Sequence, residues 1–132
     1  MGLKLGKEKL FHSVDANNKA DVQIVLDKYP SLVNEYFDEQ KTSLPITRAC
    51  WLGKKEMVEL LLDRGADPKL PTKNGFNALF TAAQRGHADI ISLLIARSCP
   101  VDVADDRGLT PLDIAIVYGF YNAALVLIKN VV

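Results

Sequence analysis

The sequence predicts an all-α repeat array, built from pairs of short antiparallel helices stacked side by side. Three observations predict it. Gly53, Gly86 and Gly119 recur at intervals of 33 residues, as do Ala49, Ala82 and Ala115; Ile46, Leu79 and Leu112; and the doublets Leu61-Leu62, Leu94-Ile95 and Leu127-Ile128. Within each interval apolar residues return at helical spacing in two bursts, as in Ala78, Leu79, Ala82, Ala83 and then Ile90, Ile91, Leu94, Ile95. A recurring glycine separates the bursts, the residue a tight turn between antiparallel helices requires. Such a period marks stacked units, none of which buries its apolar face alone.

The first unit, residues 3–38, fits the template at an offset of 36: Asp27-Lys28-Tyr29 aligns with Asp63-Arg64-Gly65, leaving three extra residues within Tyr29-Pro30-Ser31-Leu32-Val33-Asn34. Leu3, Leu5 and Leu10 are expected to cap its helix pair. The second unit, 39–71, opens its first helix at Pro45, where a missing N–H costs least, and closes its second at Gly65. In the third unit, 72–104, Asn74-Gly75 supplies the turn before the first helix. In the fourth, 105–132, Arg107-Gly108 and Pro111 repeat these signals. Alanine at 49, 82 and 115 marks where first helices of neighbouring units approach closely. The last unit departs from the pattern: Ile116 takes a small residue's place, and Val131 falls where glycine should end the helix. Its Leu125 and Val126 occupy columns expected to face outward, so either they cover a neighbour in an assembly or the chain continues. One domain, 1–132, contains all four units.

With 132 residues, 48% of them apolar and 24% charged, the chain has the means to bury a core. Sixteen basic residues balance sixteen acidic ones, so no long-range field draws it to nucleic acid or an anionic membrane, and no nucleic-acid partner is expected. Charged residues interrupt every apolar run before membrane-spanning length, and the N-terminus shows no signal-peptide pattern. Two cysteines, Cys50 and Cys99, make no disulfide framework, and the expected setting is the reducing cytoplasm, with the nucleus also open. Met1-Gly2-Leu3-Lys4-Leu5-Gly6 opens like an N-myristoylation signal but has Gly6 where Ser or Thr belongs.

Gly108-Leu109-Thr110-Pro111-Leu112, Ala82-Ala83-Gln84-Arg85-Gly86-His87 and the run Met57 to Asp67 resemble the opening, middle and end of the ankyrin repeat. The resemblance covers nearly the whole chain. It implies an all-α ankyrin-repeat solenoid of about four helix-turn-helix units with outward β-hairpin-like fingers. Thr47, Phe80 and Asp113 stand where the repeat has His, and Leu44 and Asn77 replace the preceding Thr in two units. The hydrogen bonds those residues normally share are therefore open.

No residue set suggests catalysis. His87 follows the inter-helix glycine, where a turn-stabilising role is expected. Cys50 and Cys99 sit in alanine columns as small packing residues. The pairs Asp38-Glu39 and Asp105-Asp106 are read as solvated turn carboxylates, and no metal-binding or phosphate-loop motif is present. No enzyme activity and no cofactor are expected.

The resemblance places a partner-binding face on the finger tips and the exposed side of each first helix. Those columns hold Gln40, Lys41, Ser43, Trp51 and Leu52; Lys73, Asn74, Phe76, Gln84 and Arg85; and Asp106, Arg107, Leu109, Val117 and Tyr118. Trp51, Leu52, Phe76, Leu109, Val117 and Tyr118 form a possible apolar strip rimmed by Lys41, Lys73, Arg85 and Arg107, the composition of a protein interface. The alternative is that some fold onto neighbouring helices. The expectation is a non-catalytic module, monomeric by itself, binding a protein partner on its concave face. A stand-alone inhibitor or regulatory subunit of an enzyme or filament, and a membrane-tethered adaptor acylated at Gly2, are the alternatives.

Overall fold

A computed structural model describes residues 2–130 and shows eight α-helices in four antiparallel pairs. They are α1 (Gly2–Asp15) with α2 (Lys19–Lys28), α3 (Pro45–Leu52) with α4 (Lys55–Asp63), α5 (Ala78–Arg85) with α6 (Ala88–Ala96), and α7 (Pro111–Val117) with α8 (Tyr121–Lys129). The first helices pack in the order α1, α3, α5, α7, and the second helices α4, α6 and α8 pack in parallel sequence behind them. The extra residues of the first unit form a 3₁₀ turn, Pro30–Asn34, whose Leu32 and Val33 join the core.

Ala49, Ala82 and Ala115 are fully buried, as their column requires, and Cys50 and Ala83 beside them are also sealed. Behind them, Met57, Val58, Leu61, Ile90, Ile91 and Leu94 form a continuous core in which each large side chain contributes roughly 1.5–3 kcal/mol by leaving water. Arg64 pairs with Asp27 at 2.7 Å, and Arg97 repeats the contact one unit on with Asp63 at 2.7 Å. Both pairs are half-exposed, so each is worth about 1 kcal/mol at most.

The first helices of the last three units start by different chemistry. In α3 Leu44 has no cap side chain for the first-turn N–H groups, but the Leu44 N–H itself donates to Thr47 Oγ1 at 2.8 Å, the returning half of a capping box. In α5, Asn77 Oδ1 accepts from the Phe80 N–H at 2.9 Å. In α7, Thr110 and Asp113 cap each other reciprocally, at 3.2 and 2.9 Å. The substituted columns therefore keep a side-chain cap in α5 and α7 and only half of one in α3.

The turn glycines hold left-handed backbones, and the next unit packs on them. The rings of His87 and Phe120 lie directly over Gly53 and Gly86. His87 thus packs on the turn of the preceding unit.

Three expectations are corrected. Leu10 is buried, but Leu3 and Leu5 are exposed and cap nothing. The residue sharing Leu10's inward face is Gly6, where a methyl group would stand 2.7 Å from the Tyr29 ring; packing accounts for the glycine. Val126 does not face outward: it packs against the core while Leu125 beside it is exposed, because successive residues of a helix point about 100° apart. Asp105 is buried, not solvated: its carboxylate accepts the N–H groups of Arg107 and Leu109, both at 2.9 Å, and pairs with the Arg107 guanidinium. Asp38 also works within its loop, accepting both the N–H and the hydroxyl of Thr42. Val131 lies outside the described residues.

Candidate functional site

Successive fingers are tied to one another by single backbone bonds. Lys73 N–H donates to Lys41 O at 2.9 Å and Asp106 N–H to Asn74 O at 3.0 Å. Within a finger one bond closes the loop: Phe37 N–H to Ser43 O, Thr72 N–H to Phe76 O, and Asp105 N–H to Leu109 O. These loops are too short for a ladder, and no strand forms among the described residues. Asn74, with φ 71°, and Gly75, with φ 83°, make the tight bend of the third-unit finger.

Between the fingers and the first helices runs a trough. One part, about 590 Å³, is lined by Lys4, Lys7, Phe11, His12, Phe37 and Arg48 among others. The next, about 310 Å³, is lined by Thr42, Ser43, Thr47, Arg48, Trp51, Thr72, Phe76, Thr81 and Gln84. Thr42, Ser43 and Arg48 border both, so the two parts adjoin.

Of the fifteen residues expected on this face, Ser43, Trp51, Phe76 and Gln84 come together in the second part of the trough. Arg85 lies over the Trp51 ring at 4.4 Å, and Arg107 reaches towards the Phe76 ring at 6.0 Å. Trp51 remains 40% exposed. Phe76 and Leu109 are half-buried and pack against the core, Phe76 stacking on Phe80 at 4.7 Å, so the strip is partly folded down. Lys41, over the Tyr36 ring at 5.5 Å, and Gln40, Lys73, Asn74 and Asp106 stand exposed on the fingers. Leu52 is half-buried at the end of α3 and outside the trough lining. Val117 and Tyr118 are exposed at the end of α7, where Tyr118 meets Phe120 edge to face.

The first unit's contribution was missed. Lys4, Lys7, Phe11 and His12 line the trough, and the signal was available: an offset of 36 puts Lys4 and Lys7 in the columns of Gln40 and Ser43. Arg48, on α3, was not among the expected residues; it holds Asp15 and lies 5.8 Å from the Phe11 ring centroid.

Both thiols are buried, and burial pushes them up: Cys50 beyond ordinary titration and Cys99 to about 11, the latter also raised by Asp67. Neither is set up as a nucleophile. Among the described residues no three His, Cys, Asp or Glu side chains gather as metal ligands would, and no helix is long and apolar enough to cross a membrane.

Residues 46–132 match the family description "Ankyrin repeats (3 copies)", more than half of the chain. The chain is 30% identical over 97 residues, 70% of its length, to the ankyrin repeat, SAM and basic leucine zipper domain-containing protein 1 of Dasypus novemcinctus, covering 20% of that protein. It is 33% identical over 60 residues, 46% of its length, to the ankyrin repeat-containing protein P1E11.10 of Schizosaccharomyces pombe, covering 29% of that protein. Over its full length it is 26% identical to the probable E3 ubiquitin-protein ligase XBOS33 of Oryza sativa, covering 25% of that protein. The chain therefore spans less than a third of each of these relatives. Stacked helix pairs, turn glycines covered by the next unit, a buried alanine column and these matches lead to one conclusion: the chain belongs to the ankyrin-repeat family, whose arrays are generally protein-interaction modules.

Proposed function

We propose that this chain is a non-catalytic, cytoplasmic interaction module, monomeric by itself, that holds a protein partner on the face formed by its fingers and first helices. The observation that carries this reading is Trp51, 40% exposed on the wall of a trough and backed by a sealed helix stack. An exposed tryptophan gains little from folding, yet on full desolvation at an interface centre it supplies about 2 kcal/mol or more. Trp51→Ala and Tyr118→Ala should weaken partner capture at least about thirtyfold while leaving the melting transition unchanged. Lys54→Ala, at the turn between α3 and α4, should do neither. Unfolding of both aromatic variants, or capture unchanged in both, refutes the assignment.

A second reading rests on the end of the array. Ile116, on α7, is 53% exposed although Ala83, its counterpart one unit back, is fully buried, and Tyr121, at the start of α8, is 72% exposed. A partner seated on this end face would be lost on Ile116→Asp and retained on Trp51→Ala, the reverse of the first outcome. An adaptor acylated at Gly2 would give Gly2-dependent fatty-acid labelling in eukaryotic cells; we expect none.

A further inference from the structure

We propose that the trough beside Trp51 and Phe76 receives an extended acidic segment of the partner protein, with its carboxylates held by Lys41, Lys73 and Arg85 and one flat apolar side chain against the two rings. This rests on the protein-binding reading above and names the chemistry that face would take.

The charge argument is local. The whole chain is neutral, with sixteen charges of each sign, so any excess on one face is a matter of placement. No Asp or Glu lines the trough at Trp51; its polar lining is hydroxyls, the Gln84 amide and Arg48. Lys41, Lys73 and Arg85 each adjoin a lining residue, Thr42, Thr72 and Gln84, while Arg48 lies in the lining and Arg107 reaches towards Phe76. Arg48 is matched by Asp15 and Arg107 by Asp105. Lys41, Lys73 and Arg85 have no carboxylate within ion-pair distance among the described residues. Arg85 instead lies over Trp51 at 4.4 Å and Lys41 over Tyr36 at 5.5 Å. A cation resting on a ring is free to take a carboxylate at its edge while keeping the ring contact.

The extent of this positive stretch selects a short segment and not a nucleic acid. Towards the first unit the trough becomes mixed in charge, with Glu8, Asp38 and Glu39 among Lys4, Lys7 and Arg48, and at the last finger Asp106 stands beside Arg107. A polyanion following the trough would meet those carboxylates, whereas a few acidic residues around one anchor would not. The lining also favours extended backbone. Thr72 and Thr81 direct their hydroxyl protons to the carbonyls of Phe76 and Asn77, leaving oxygen lone pairs as acceptors for a visiting N–H.

Trp51 is the chain's one tryptophan, so its fluorescence reports this site alone. The probes are three synthetic peptides carrying a single phenylalanine flanked by glutamates, by glutamines or by lysines, titrated into the folded chain at low and at high salt. The glutamate peptide should shift Trp51 emission and bind about tenfold more tightly than the glutamine peptide at low salt, with the advantage shrinking as salt rises. The lysine peptide should not bind. Arg85→Glu should abolish the preference for glutamate, and Arg85→Lys should retain part of it. Equal responses to the three peptides, no response to any, or a preference that salt and Arg85→Glu leave untouched would overturn the proposal. If the acidic preference fails while Trp51→Ala still releases a captured partner, only the acidic class falls and the binding face stands.

Discussion

Gly86 and Gly119 occupy the same position in successive units, with φ of 74° and 75°, yet alanine should be tolerated very differently at the two. A methyl at Gly86 would stand 2.5 Å from Cδ1 and 2.6 Å from Cγ of Phe120, whereas at Gly119 the nearest atom is the Tyr121 hydroxyl oxygen at 4.0 Å. Left-handed backbone costs an L-residue roughly 1–2 kcal/mol, and the smaller freedom of unfolded alanine returns about 0.4–1 kcal/mol. Gly119→Ala should therefore lose about 1 kcal/mol. Gly86→Ala carries the same strain and must also displace an aromatic ring, which adds about 1–3 kcal/mol. Phe120 is 36% exposed and can swing outward, so the lower half of that range applies, giving a total loss of about 2–3 kcal/mol. At about 3 °C per kcal/mol for a chain of this size, the melting temperature should fall by about 3 °C in one variant and about 6–9 °C in the other. Far-ultraviolet circular dichroism during heating and urea titration reads both. Adding Phe120→Ala to Gly86→Ala should recover part of the loss, leaving the double variant more stable than additivity requires. Equal losses at the two glycines, or strict additivity with Phe120→Ala, would show that the next unit does not pack on the turn.

Ala82→Leu should overpack the joint between α3, α5 and α7 and destabilise by about 1–3 kcal/mol; a wild-type urea midpoint would place this column away from a neighbour. Cys50 and Cys99 should react slowly with thiol reagents in the native chain and freely in urea. Because folding raises their thiol values from about 9, the native state retains protons that unfolded thiols release. Stability should thus be complete below about pH 9 and decline above it, less steeply in Cys99→Ala. Asp105 behaves oppositely. Burial works to raise its value, but the Leu109 and Arg107 N–H groups and the Arg107 guanidinium hold it below the ordinary carboxylate range. Its contribution is present above the unfolded carboxylate value and lost as pH falls through the folded one, so Asp105→Asn should differ from wild type at pH 7 and converge with it in strong acid.

Sequence periodicity determined the helix pairs and the buried alanine column, because stacked units repeat the same packing problem and solve it with the same residue sizes. Pro45, Gly65 and Pro111 marked element ends because their constraints act within the backbone itself. The neighbour against which each side chain finishes was decided by tertiary structure alone. Trp51 and Phe76 read alike as apolar residues in exposed columns, but Phe76 stacks on Phe80 and turns inward while Trp51 stays open under Arg85. Asp105 and Asp106 read alike as turn acids, yet only the first finds two backbone N–H groups and sinks below the surface. Leu3 and Leu10 lie seven residues apart, close to the same helical bearing, but only Leu10 meets the core. Burial depends on what stands opposite a residue, and in a stacked array that is set by the next unit, beyond the reach of any local pattern.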